Sequence, residues 1–243
     1  MEEHENLYER IQEILGGTQG NFKVLEQQID MDLQVEYYEC SMKLREEVEE
    51  DWAFENAKYL LEPGYSQQVK REILARLASI DRVECYRYIE AFLESAEENL
   101  HDWAVLALNE NRLLLESRLL DENQVFISTG LGGKKDKLRY FLVLLSRGDQ
   151  ELDDTQKMVI NNEFHFTLKK FSAEVEEISF FEHIATILLL MPMSFSLRNV
   201  IREAIQECNT YGHFLNEDFI ITNVKTLSFK EIKDFLKSKK GPD

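Results

Sequence analysis

Phe141-Leu142-Val143-Leu144-Leu145 and Ile187-Leu188-Leu189-Leu190-Met191 are the two most continuously apolar runs in the 243-residue chain. Strands with one wet face alternate apolar and polar residues, so unbroken runs of this length mark strands at the centre of a sheet. The flanking sequence supplies the rest of that sheet. Val125–Thr129 and Leu138–Ser146 are β-rich and enclose Gly130-Leu131-Gly132-Gly133, which reads as a hairpin with a mobile tip. Asp153 and Asp154 can cap a helix carrying Ile160, Phe164, Leu168 and Phe171 on one face. Val175–Phe181 and Ile184–Met191 follow as strands, and Pro192 closes the second. Ser196 caps a helix with a clean stripe of Leu197, Val200, Ile201, Ala204, Ile205 and Cys208, stopping at Gly212. Phe219–Thr222 is a last strand. Ser228 with Glu231 makes a capping box for a terminal helix whose Ile232, Phe235 and Leu236 face inward.

From Leu138 the order is strand, helix, strand, strand, helix, strand, which resembles a ferredoxin-like split βαβ sandwich. The resemblance implies that the first and third strands lie centrally, where the two quoted runs fall. It leaves Val125–Thr129 without an assigned place.

The first half has a different periodicity. Ser66 is an N-cap candidate for a helix with Val69, Ile73, Leu74 and Leu77 on one face, and the pattern returns at Leu100, Ala104, Val105 and Leu108 behind Asn99. Between them Asp81 and Glu84 make a capping-box-like start for a helix bearing Tyr86, Ile89, Phe92 and Leu93. Tyr59-Leu60-Leu61-Glu62 matches Ala91-Phe92-Leu93-Glu94 at an offset of 32 residues. Residues 57–116 thus resemble short HEAT-like helical repeats, with an ordinary helical bundle as the competing reading. The resemblance implies a protein-binding scaffold and no catalytic site. Upstream, Ile29 to Tyr37 alternates as a strand would, but intervening Glu and Gln and the helix-forming Lys43–Glu50 segment favour helix.

Charge divides the chain at the same place as periodicity. Residues 1–122 carry 29 acids against 12 bases, whereas residues 123–243 carry 17 against 16, of a total net charge of -18. The expected fold class is therefore α+β, with an acidic HEAT-like unit at 1–122 and a ferredoxin-like unit at 123–243. A duplex-wide phosphate surface needs clustered Lys and Arg, so nucleic acid is disfavoured as a partner. No apolar run approaches the roughly 20 residues of a membrane span, and the first residues lack a secretory pattern, which points to the cytoplasm. Cys40, Cys85 and Cys208 have neither disulfide nor zinc spacing and read as small buried apolar residues.

Motifs for chemistry are missing. The glycines at 130, 132 and 133 with Lys134 and Lys135 fail the phosphate-loop pattern, because Ser128 stands at the first glycine position and Lys135 at the hydroxyl position. His165, His183 and Glu182 could meet in space, without any spacing that assigns a general base. No catalytic, cofactor-binding or metal residue is assigned, and no cofactor is expected. Candidate protein contacts are Tyr65 and Tyr88 on the helical unit and Lys134 and Lys135 at the hairpin, where Lys137 and Arg139 could also touch an acidic partner. The leading functional expectation is a cytoplasmic interaction or adaptor protein whose acidic unit attracts a basic protein partner. The alternative is an enzyme or small-ligand sensor built on the α/β unit.

Overall fold

The computed structural model describes residues 22–45, 50–121 and 125–240. These form two compact units: Ile29–Phe126 makes one, and Lys23–Gln28 joins Ile127–Asp243 in the other. Among the described residues the α/β unit is thus interrupted, a six-residue strap being followed about a hundred residues later by the rest. Leu25 N–H donates to Ile127 O across 2.9 Å, so the strap lies beside the point where the chain returns. Strands β1 (Phe22–Val24) and β2 (Val125–Ile127) pair with each other in a separate two-stranded sheet.

The helical unit contains α1 (Met31–Arg45), α2 (Glu50–Asn56), α3 (Gln67–Ala78), α4 (Val83–Leu93) and α5 (Glu98–Leu120). The alternation across Ile29–Tyr37 is therefore resolved as helix, with only Gln34, Tyr37 and Ser41 of α1 buried. Ser66 caps α3, its Oγ accepting from Val69 N–H at 3.3 Å. Asp81 does not cap α4: Arg82 holds the N-cap position without a side-chain bond, and Asp81 takes Arg118 at 2.9 Å instead. Likewise α5 starts behind Glu97, not Asn99. Ile73, Leu74, Leu77, Cys85, Ile89, Phe92, Leu100 and Trp103 are buried, while Val69 lies outside this set, 36% exposed.

Two polar devices tie these helices together. Asn111 on α5 donates its amide to Leu77, Ala78 and Ile80 carbonyls at 2.8–3.2 Å, tying α5 to the end of α3 and the turn after it. The buried Glu110 carboxylate accepts from the Tyr37 hydroxyl (2.6 Å), the Ser41 hydroxyl (2.7 Å) and Arg45 Nη2 (2.7 Å), all on α1. Burial, then the Glu110 charge, pushes the Tyr37 phenol well above its ordinary range. Trp103 stacks edge-on against Tyr37, donates to Arg71 O at 3.1 Å and carries the Arg71 guanidinium over its ring.

The α/β unit is built on β3 (Gly133–Lys134), β4 (Lys137–Leu145), β5 (Glu174–Phe181), β6 (Ile184–Pro192) and β7 (Ile220–Thr222). Its helices are α6 (Asp154–Lys170), α7 (Leu197–Asn209) and α8 (Phe229–Lys240). Strand β4 pairs along its whole length with β6, and β5 pairs with the other side of β6. On the free side of β4, β3 takes Lys137 and Leu138, and β7 takes Phe141 to Val143. Every pairing is antiparallel. The central runs are apolar on both faces because both faces are covered. Leu142, Leu144, Ile187 and Leu189 meet the stripes of α6 and α7, while Phe141, Val143 and Ile184 meet Ile232 of α8. These features establish a mixed α+β protein.

The hairpin glycines are not a mobile tip. Residues 130–133 are buried. A Cβ on Gly132 (φ +65°) would lie 2.5 Å from Gln27 O and 2.6 Å from Glu26 O, and one on Gly133 would lie 2.6 Å from Val24 Cγ1. At Gly132 glycine is required because the strap passes directly over the turn, a long-range contact that local sequence does not announce; at Gly133 the nearest obstacle is the Lys137 carbonyl of the adjoining strand.

Candidate functional site

An open hollow of about 210 Å³ runs along the outer side of β7, the short edge strand. Arg198 and Arg202 of α7 stand at one wall, Phe235 of α8 at the other, and Asp218 and Phe219 lie on the segment entering β7. A second open hollow, about 480 Å³, adds Arg147 and Asn216 and shares Glu217, Asp218, Phe219 and Ile220 with the first.

The local fold explains why these groups converge. α7 buries Val200, Ile201, Ala204 and Ile205 against the sheet. Its opposite face therefore carries Arg198 and Arg202, four residues apart and so one above the other. α8 packs on the other sheet face through Ile232, which leaves Phe235 42% exposed. This corrects the inward placement expected for Phe235: Ile232 and Leu236 fill that side and the ring is directed to the hollow. Asn216 fixes the segment before β7, its N–H donating to Leu145 O (2.9 Å) and its side chain to Ser146 O (3.2 Å). Glu217 lies 3.7 Å from Arg147. Among the described residues, Arg198, Arg202 and Asp218 have no ion-pair partner.

The residues singled out from the sequence lie elsewhere. Tyr65 stacks on Tyr59 with centroids 4.3 Å apart, and Tyr88 meets Phe54 edge-on, each in the helical unit. Lys134 and Lys135 are exposed, and the Lys135 N–H donates to Glu26 of the strap at 3.2 Å. Lys137 and Arg139 are engaged within the sheet, by Glu174 and Glu176 respectively. The Lys137 hydrogen bond holds the Glu174 carboxyl below its ordinary range. They are therefore not spare charges for a partner. His183 Nδ1 lies 3.9 Å from Glu182, whereas His165 contacts its own helix at Asn161 O, so the imagined trio does not assemble. Cys85 and Cys208 are buried, and burial pushes both thiols up to about 12; Cys40 is only partly covered. Among the described residues no group of His, Cys, Asp and Glu is arranged to hold a metal ion, and no helix is long and apolar enough to cross a membrane.

No protein-family model matches the chain, and no curated protein matches it. Among solved structures it is similar to a protein described as a transposase from Deinococcus radiodurans R1. That match has 13% identity and a TM-score of 0.37, and covers 44% of this chain and 94% of that one. It is also similar to a REP-associated tyrosine transposase bound to a REP hairpin, with 11% identity, a TM-score of 0.32 and coverage of 41% and 61%. The expectation of an adaptor with a protein partner, and with nucleic acid disfavoured, is corrected at this point: the similar structures are transposases and not interaction adaptors. The charge argument behind it summed the whole chain. A net charge dominated by the first half says nothing about two unpaired guanidinium groups on α7 of the second.

Sequence reasoning missed Arg198, Arg202 and Asp218. A signal was present: neither arginine has an acid three or four residues away on its own helix, so neither is satisfied locally.

Proposed function

We propose that the α/β unit acts on nucleic acid, holding the backbone of an unpaired strand in the hollow beside β7. The carrying observation is the stacked pair Arg198 and Arg202, both without carboxylate partners, opening on a hollow rimmed by the exposed ring of Phe235. Guanidinium groups match phosphate oxygens bidentately, and an aromatic face accepts any unpaired base. Of the alternative raised from sequence, an enzyme or small-ligand sensor built on the α/β unit, this takes up the enzyme half and replaces the small ligand by a strand. The proposal rests on the hollow. Two phosphate contacts give a salt slope of about -1.4 for a single strand, so binding is modest and local.

The strand order β7-β4-β6-β5, antiparallel throughout, supports a ferredoxin-like reading of this unit. Consecutive packing of α3, α4 and α5 supports a HEAT-like reading of the helical unit, although α5, at 23 residues, is nearly twice as long as α3. Three free thiols support a cytoplasmic setting.

The test is fluorescence anisotropy of full-length protein with a labelled single-stranded 13-mer at two salt concentrations. The R198A/R202A double variant should lose at least tenfold in affinity with an unchanged Tm. Binding that is indifferent to salt or survives the double substitution overturns the proposal. Incubation of the same strand with a divalent cation, read on a denaturing gel, reports any cleavage or joining.

A further inference from the structure

We infer that Asp218 reads guanine in the strand held by Arg198 and Arg202; this deepens the proposed function and rests on it. Asp218 is the feature of the hollow that phosphate binding does not explain, since a carboxylate beside a phosphate track repels it. Its neighbour Glu217 leans toward Arg147 at 3.7 Å, but Asp218 has no cation partner among the described residues while lining both hollows. A free carboxylate of this kind is acceptor-only and holds two oxygens side by side. Exposed at the hollow, it offers those oxygens to a ligand group with two adjacent donors.

Among the bases of an unpaired strand only guanine fits that description. Its Watson–Crick edge presents N1–H and the N2 amine as two adjacent parallel donors, one for each carboxylate oxygen. Adenine and cytosine each offer one amine next to a bare ring nitrogen, whose lone pair opposes the carboxylate. Thymine offers one N–H between two carbonyl oxygens, which oppose it on both sides. Recognition through Watson–Crick edges is available only when the strand is unpaired. The backbone on either side then reaches Arg198 and Arg202.

The experiment compares full-length protein binding to a dT 13-mer, the same 13-mer with one central dG, and the same with central deoxyinosine, which lacks the N2 amine. One dG should tighten binding about tenfold over dT, as for a bidentate base contact. Inosine should fall between them. Asp218→Asn should abolish the preference for dG over dT while dT binding is kept or tightened, because a charge that repels the backbone is gone; a folding defect would weaken both strands. Central dA and dC should resemble dT. If the strands bind without guanine preference, or if Asp218→Asn keeps the preference, the guanine assignment fails and the backbone proposal stands. If none of the strands binds, the proposed function itself fails.

Discussion

Replacing Gly132 by alanine tests whether the strap is seated on the hairpin. Two penalties apply at this position. The first is conformational: φ is +65°, where a Cβ costs about 1–2 kcal/mol. The second is contact: the new Cβ would be 2.5 Å and 2.6 Å from two strap carbonyl oxygens, against ordinary contacts near 3.5 Å, so the strap must shift by close to an ångström. Overpacking of this size costs about 1–3 kcal/mol, giving roughly 2–5 kcal/mol in all. The structure supplies its own control in Gly148, which has φ +70° and meets nothing nearer than 4.0 Å, so Gly148→Ala carries the conformational penalty alone. Urea unfolding of the two variants should therefore differ by about 1–3 kcal/mol. Hydrogen exchange at Lys23–Gln28 should accelerate only in Gly132→Ala. Equal destabilisation by the two substitutions, with unchanged exchange in the strap, would refute the packing argument.

Two further outcomes concern polar groups. Glu110→Ala removes the acceptor shared by Tyr37, Ser41 and Arg45 and should destabilise the helical unit by about 2–4 kcal/mol, seen as a lowered urea midpoint and a downward shift of the Tyr37 phenol titration. At the start of α8, Lys225 and then Ser228 hold the Glu231 carboxyl at about 2. A depressed folded-state value means that the stabilisation is complete above the ordinary glutamate range and disappears as pH falls toward 2. The Tm difference between wild type and Glu231→Gln should accordingly be largest near neutrality and close in acid; a gap independent of pH would count against the capping box.

The central sheet was legible because burial on both faces leaves an unmistakable trace: Phe141–Leu145 and Ile187–Met191 have no polar side to show. Capping was legible where the motif is local, as at Ser66 and at Ser228 with Glu231. It misled at Asp81, because the Arg118 side chain, 37 residues away, takes that carboxylate instead. Gly130–Gly133 misled for a related reason. Glycine permits both a loose turn and a close backbone approach, and only the distant strap distinguishes them. Lys137 and Arg139 read as available charge because their partners, Glu174 and Glu176, sit two strands away across β6. The hollow was hidden in the same manner. Arg198, Asp218 and Phe235 belong to three separate elements, and charge totals average such a local grouping away.

The interrupted α/β unit has a consequence for synthesis. The ribosome delivers Lys23–Gln28 early, but the Gly132–Gly133 turn on which it rests emerges only after Ile29–Phe126 has been made. At about 5–20 residues per second the strap waits roughly 5–20 s, long compared with the folding of a small helical domain. Linking its two flanks through an unfolded stretch of this length would carry a large closure entropy, which grows as about 1.5RT ln n. Prior folding of Ile29–Phe126 removes most of that loop's freedom, so the strap meets the Gly132–Gly133 turn at a lower entropic cost.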